Sequence, residues 1–299
     1  ITDFVKDINK KIIEVISIYY NGLHYQSYTK FKDIIEKYNF FNNSNKNNIF
    51  EIGKDQYYYR ARQRIFGIEF SYKDMLHIPL TQRGIVSAQR YSCPGYPSLY
   101  LGNTTYSCWE EMRRPHFDDL MFSIFKTKNQ FKVIDLRIPS SEDYESKCTE
   151  TLKKLPLIMA CSVAVKNYPD IFKPEYIISQ MLIESIIENN KNRNNIKDFP
   201  IGVLYTSTHL CNDFPYGEKY LENLAIPVIQ DSLNNLNTLF TNSDPICYEY
   251  GSLLYSTNNN QWDGFNDEQH DFDEMQKKYD NTKMGLIETW LRAEINKKK

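Results

Sequence analysis

RYSCPGYPSLYLGNTTYSCWEE, residues 90–111, places a turn, a strand and a helix in one short run. Pro94 and Gly95 mark the turn, since proline presets φ and glycine tolerates a positive one. PSLYLGN (97–103) then reads as an apolar strand. TTYSCWEEMRRP (104–115) reads as a helix, with Thr104 as N-cap candidate and Pro115 as its stop. Charge stands at both ends of the run, on Arg90 and on the adjacent Glu110 and Glu111. Neighbours on a helix point about 100° apart, so one glutamate faces inward and the other outward.

Outward from this stretch, strands and helices mix without a regular βαβ alternation, which predicts an α+β fold. Helical spacing of Phe4, Val5, Ile8, Ile12, Val15, Ile16 and Tyr19 predicts an amphipathic helix over 4–19, followed by a short helix over 31–39. The Asn-rich 40–50 reads as a linker or exposed loop. YYYRARQ (57–63) reads as a strand, and LMFSIFKT (120–127) with FKVIDLRIP (131–139) as a strand pair. Helices are expected over 152–167 and 174–189, buried strands over 201–208 and 223–229, and a last helix over 285–296. The polar 258–282 is expected to form a loop or lid, its part at 263–274 being acidic. The implied division is a helical N-terminal extension (1–50), a catalytic domain (51–235) and a C-terminal extension (236–299) with the acidic loop and terminal helix.

The 299 residues carry 36 basic and 38 acidic side chains, for a net charge of -2. That balance argues against a nucleic-acid partner, which requires a basic surplus or stripe. The six cysteines form no CxxC pair and read as reduced thiols; metal-ligand spacing is absent. The run PLIMACSVAV (156–165) is too short to cross a bilayer, and no signal peptide opens the chain, so a soluble, cytoplasmic protein is expected. With no initiator Met at its start, a fragment, a processed product or a trimmed chain is expected. The 23 tyrosines suit either core edges or ligand pockets, and codon bias is a competing source of them.

GxGxxG after a strand, GxxxxGK[ST], HExxH and GxSxG are all missing, so the common routes to nucleotide binding, zinc hydrolysis and serine hydrolysis are not signalled. The opening stretch offers another chemistry. An arginine fork binds a pyrophosphate, a tyrosine ring stacks on a planar base, and a glutamate holds ribose hydroxyls and stabilises an oxocarbenium-like centre. Arg90, Tyr100 and Glu111 together suit cleavage of an N-glycosidic bond in a phosphorylated nucleoside. Taken singly, each has a plain alternative: a surface ion pair, a core tyrosine, a solvated helix acid.

The same stretch resembles the signature of the RES domain family: an Arg, a small-Pro-Gly turn, an apolar strand ending in Tyr, then a helix with Glu. Arg90, Tyr100 and Glu111 match in type and spacing, whereas Glu110 is one residue early. IGVLYTST (201–208) resembles the family's Gly-hydrophobic-Tyr-x-Ser strand, which puts its Tyr on Tyr205 and its Ser on Ser207. YYYRAR looks like the opening strand, with Arg60 or Arg62 as its arginine. PEYIISQMLIESI resembles the helix before the Ser strand, and NLAIPV, starting at Asn223, the closing strand. The resemblance spans roughly residues 55–230, departing at Gln89, where many members carry Gly, and in both terminal extensions.

It implies an ADP-ribosyltransferase-like mixed sheet core and an NAD-degrading enzyme, commonly the toxin of a toxin–antitoxin pair. NAD is then substrate rather than cofactor, phosphate is an optional co-substrate, and no metal is required. Glu111, Arg90, Tyr100 and Ser207 become the catalytic set, with Arg60, Arg62, Tyr205 and Asn223 as substrate-binding residues. Arg90 holds the pyrophosphate, Tyr100 stacks near the nicotinamide, Glu111 faces the developing cation, and Ser207 bonds the ligand or orients Glu111. Phosphate, water or a protein side chain remain open as acceptors, giving a phosphorylase, a glycohydrolase or an ADP-ribosyltransferase. The contrasting expectation is a non-catalytic domain that binds a nucleotide or a partner, with the terminal helices as recognition or homo-oligomer surface. An antitoxin or inhibitory partner is expected; no membrane association is.

Overall fold

The computed structural model describes residues 2–41, 48–65, 68–139, 141–191, 199–208, 221–228, 233–248 and 278–297. The acidic 263–274 and the middle of the Asn-rich stretch lie outside them. Seven helices are used below: α1 (Thr2–Tyr20), α2 (His24–Lys37), α3 (Thr105–Glu111), α4 (Ser141–Cys161), α5 (Ile177–Asn190), α6 (Leu233–Leu239) and α7 (Lys283–Lys297). The strands are β1 (Ile49–Ile52), β2 (Tyr57–Gln63), β3 (Ser98–Gly102), β4 (Leu120–Thr127), β5 (Phe131–Leu136), β6 (Val203–Thr206), β7 (Glu222–Pro227) and β8 (Phe240–Asn242).

The strands form one mixed sheet of eight, in the order β1-β5-β6-β7-β3-β2-β4-β8. Only the β5–β6 pair among them is parallel, and α4 and α5 supply the crossover that a parallel pair needs. The α+β expectation therefore holds at the level of a mixed sheet with packed helices. Residues 120–127 and 131–136 are strands as expected, but they do not pair with each other. β4 lies between β2 and β8, and β5 between β1 and β6.

That correction has a geometric consequence. In a flat sheet, β4 and β5 would stand five spacings apart, about 24 Å at ~4.8 Å per strand. Yet Thr127 and Phe131 are four Cα steps apart, a reach of about 15 Å at most. The sheet must curl. A single apolar cluster draws on all eight strands, with Ile52, Tyr58, Leu99, Leu101, Phe125, Phe131, Val133, Leu204, Leu224, Ile226 and Phe240. The Phe240 ring bridges the two arms, 5.9 Å from Phe125 and 5.7 Å from Phe131 between centroids.

Strand alternation then assigns the opposite faces. Leu99 and Leu101 of β3 point into the curl, while Tyr100 joins a second cluster with α1, α2, α4 and α5. Ile8, Ile12 and Val15 of α1 and Phe31 of α2 are fully or almost fully buried there, in one cluster with Ile134 and Val203 of the sheet. At the other arm, Tyr59, Phe122 and Ile124 pack under Cys108 of α3 and Ile287, Trp290 and Leu291 of α7. Among the described residues, five cysteines form no disulfide, and burial pushes the Cys108 and Cys161 thiols up to about 12.

Other boundaries also moved. α2 begins at His24, β1 begins at the end of what read as a loop, and α4 ends at Cys161 rather than at 167. Beyond it, β-branched Val163 and Val165 lie in a non-helical stretch. α3 stops at Glu111, four residues before Pro115, because Arg113 and Arg114 take positive φ values of 65° and 53°.

Candidate active site

β2 and β3 share only one register pair, Tyr59 with Gly102. Beyond it the two strands part, and Arg60 Nη1 reaches across to the Tyr100 carbonyl at 3.4 Å. A cleft of about 620 Å³ opens at this split. Its lining includes Arg60, Arg62, Arg90, Tyr100, Glu111, Tyr205 and Asn223, seven of the eight residues singled out from sequence. The eighth, Ser207, stands directly behind Glu111.

Strand parity brings them together. Tyr100 on β3 lies opposite Ala225 on β7, Gly102 opposite Asn223, and Asn223 opposite Tyr205 on β6. Tyr100, Tyr205 and Asn223 therefore share the sheet face away from the curl. α3 crosses this face from β3. Thr104 caps it, accepting from the Ser107 amide at 3.0 Å, and Ser107 returns a side-chain oxygen to the Thr104 amide at 3.3 Å. The approach is so close that a Cβ on Gly102 would stand 2.1 Å from Ser107 Oγ. The Gly102 position thus requires glycine for space rather than for backbone freedom.

Glu111, the last residue of α3, projects toward β6 and β7. Ser207 Oγ donates to Glu111 Oε1 at 2.6 Å, and Asn223 Nδ2 donates to the same oxygen at 2.9 Å. Glu111 Oε2 accepts no bond from the described residues. Glu110 points elsewhere: it is 4% exposed and gripped by Arg114, through Nε at 3.0 Å and Nη2 at 2.6 Å, and by the Tyr106 hydroxyl.

Arg90 is 8% exposed, donating to the Cys161 carbonyl at 2.8 Å and to Thr208 Oγ1 at 3.0 Å. Its guanidinium lies 5.2 Å from the Tyr176 ring centroid. Two of its five N–H groups are thus engaged among the described residues. Tyr100 explains the spacing to Arg90. Its hydroxyl accepts from the Tyr91 amide at 3.0 Å and lies 3.1 Å from Ser92 Oγ, so the strand pins the turn that carries Arg90. The Tyr100 and Tyr205 hydroxyls are pushed up from the usual phenol range by burial.

The cleft is strongly cationic. Arg60, Arg62, Arg90 and Arg113 line it, and none of them pairs with a carboxylate among the described residues. Burial and the neighbouring Arg62 push the Arg60 guanidinium down to about 9, so it stays charged at neutral pH without a counter-ion. Arg62 donates to the Leu76 carbonyl at 3.0 Å. Among the described residues Glu111 is the one carboxylate in the lining. A cleft with several guanidinium forks, tyrosine walls and one tethered carboxylate can bind an anionic ligand and stabilise a cation formed upon it.

Sequence reasoning missed Arg113, Tyr168, Lys173, Tyr176 and Thr208 of this lining. Arg113 follows Glu111 by two residues, and its guanidinium sits 3.1 Å from the Tyr168 ring centroid. The left-handed turn after α3 aims it there, a conformation that no residue type in MRRP announces. Thr208 and Tyr176 both fell inside stretches that carried a signal, one residue after Ser207 and one before α5. Among the described residues no cluster of three or more metal-ligating side chains forms, and no helix is long and apolar enough to cross a membrane.

The chain is 34% identical over 204 residues to a curated protein of Bacillus subtilis (strain 168) named "Putative toxin YopC". The aligned part is 60% of this chain and spans 44% of that relative's length. No family model matches the chain, and no solved structure does.

Proposed function

We propose that this chain is a toxin that breaks the nicotinamide–ribose bond of NAD on a RES-type, ADP-ribosyltransferase-like scaffold. The observation that carries the reading is Glu111, a carboxylate tethered through one oxygen by Ser207 and Asn223 and facing a cleft rich in arginines that have no carboxylate partner among the described residues. The name of the Bacillus subtilis relative supports the toxin role, and the resemblance around residues 90–111 supports the chemistry.

In this scheme the arginines bind the pyrophosphate, Arg90 being the most buried of them and Arg60 and Arg62 standing at the strand split. The Tyr100 ring forms the wall beside the nicotinamide and its ribose. As the C1′–N bond breaks, its electron pair leaves with the nicotinamide nitrogen, which becomes neutral. C1′ takes on oxocarbenium character, and Glu111 Oε2 faces that charge. Ser207 and Asn223 keep the carboxylate from rotating. An oxygen of phosphate, water or a protein side chain then bonds to C1′ and gives up its proton. NAD is substrate, and no metal or resident cofactor enters the scheme. A protein that destroys NAD in its own cytoplasm needs restraint, which calls for an antitoxin or other inhibitory partner.

The test is nicotinamide release from NAD by the purified chain, with and without phosphate, followed chromatographically beside Glu111→Ala. Release by the wild-type chain and none by the variant is expected. Tight NAD binding without release under any acceptor would make the chain a binding module. Equal release by the variant would remove Glu111 from the chemistry.

A further inference from the structure

α7 reaches the cleft's support without lining the cleft. Glu288 is 5% exposed, and its Oε1 accepts from the Thr105 amide at 2.7 Å and from the Tyr279 hydroxyl at 2.6 Å. Its Oε2 accepts from Arg292 Nη2 at 3.4 Å, and Arg292 Nε donates to the Tyr59 hydroxyl at 2.7 Å. The two recipients are not arbitrary. Thr105 is the first residue of α3, whose amide has no partner inside the helix. Tyr59 is the β2 residue of the single register pair that joins β2 to β3. Glu288 and Arg292, one turn apart, therefore hold both flanks of the split from which the cleft opens.

α3 has seven residues, so it is about 10 Å long, and Glu111 is its last. A helix that short is not sustained by its own hydrogen bonds and depends on its tertiary partners. Cys108 Sγ donating to the Tyr59 carbonyl at 3.1 Å and the close contact at Gly102 fix its middle. Glu288 fixes its start, where a carboxylate also complements the positive end of the helix dipole. Burial pushes the Glu288 carboxyl above the usual range, yet it sits within reach of four donors, consistent with a built contact rather than an incidental one.

We propose that Glu288 is a positioning residue for Glu111: by holding Thr105 it sets the placement of α3 and so of the carboxylate in the cleft. The proposal rests on the reading of Glu111 as the carboxylate that faces the breaking bond. It makes the C-terminal segment part of the catalytic apparatus, although none of its described residues lines the cleft.

The experiment compares wild type, Glu288→Ala, Glu288→Gln and Ile295→Ala, the last a cavity variant on the same helix that leaves Thr105 alone. Two readouts are taken at equal distance below each protein's melting point: amide exchange in the peptide covering α3, and steady-state nicotinamide release. Glu288→Ala is expected to speed α3 exchange about tenfold and to lower kcat about 100-fold while KM moves little. Glu288→Gln keeps an oxygen acceptor for Thr105 and should recover most of both. Ile295→Ala should leave both near wild type. Unchanged α3 exchange in Glu288→Ala, or an equal kcat loss in Ile295→Ala, would overturn the proposal. Should Glu288→Ala not fold, Glu288→Asp, which draws the carboxylate back by one methylene, takes its place. A wild-type chain without nicotinamide release would sink the NAD reading alone, and the exchange arm would still decide whether Glu288 holds α3.

Discussion

The two faces of α3 carry the same side chain in opposite circumstances. Glu110 is satisfied locally: Tyr106 and Arg114, four residues to either side, occupy its oxygens, and the arginine cancels its charge. Glu111 is held by residues about a hundred positions away, on β7 and just past β6, and both bond the same oxygen. Its surroundings are arginines that have no carboxylate of their own among the described residues. A carboxylate closed off by its own helix serves that helix. One tethered from a distance through a single oxygen is oriented, and its other oxygen takes no bond from the described residues.

The largest effect should come from removing that carboxylate's charge. Glu111→Gln preserves size and both donors' acceptor, so the fold should persist by circular dichroism while kcat for nicotinamide release falls about a thousandfold. Retention of more than a tenth of the activity would mean that the negative charge is not what the cleft uses. Next come the tethers. Ser207→Ala and Asn223→Ala should each lower kcat by about tenfold to a hundredfold, with KM little changed. Because both hold Oε1, their effects should not add; a double variant whose loss equals the product of the singles would show that they act separately.

Much of this arrangement was legible beforehand. The turn, β3 and the start of α3 are local, written in Pro94, Gly95, Thr104 and the alternation of Leu99 and Leu101 around Tyr100. Parity along β3, β6 and β7 sufficed to place Tyr100, Tyr205 and Asn223 on one face once their pairing was known. The pairing itself was not readable. β4 and β5 are joined by three residues, the ordinary mark of a hairpin, yet the curl of the sheet sends them to different neighbours. Arg113 escaped because its aim depends on two consecutive left-handed residues. Glu288 escaped because an acid in a terminal helix reads as solvated, and only the packing of α7 on β4 and α3 buries it.

A smaller effect separates affinity from stability at the strand split. Arg60 is half-buried beside Arg62, and among the described residues its one side-chain bond is a long one to the Tyr100 carbonyl, an arrangement that disfavours its charge in the empty cleft. Arg60→Met should therefore raise KM for NAD about tenfold, the loss of one charge-assisted contact, while stabilising the unliganded chain by about 1 kcal/mol. The checks are steady-state kinetics and urea unfolding. If the variant is less stable and KM is unmoved, Arg60 supports the sheet and does not meet the ligand.

The smallest effect on activity is predicted beside the largest. Glu110→Gln removes the charge that Arg114 grips but leaves an acceptor for Tyr106. Arg114 is 43% exposed on its side chain, so water takes over much of its solvation, and the cost in unfolding free energy should be about 1–2 kcal/mol. Glu111 leaves α3 in a different direction, and the bonds from Ser207 and Asn223 do not pass through Glu110. With the helix start held by Glu288, kcat should stay within about twofold of wild type. Were Glu110→Gln instead to lose activity as Glu111→Gln does, at a temperature where both are folded, the two faces of α3 would not be independent. The left-handed turn at Arg113 and Arg114 would then be the element joining them, since it is the segment that the Arg114–Glu110 pair restrains and that also delivers Arg113 to the cleft.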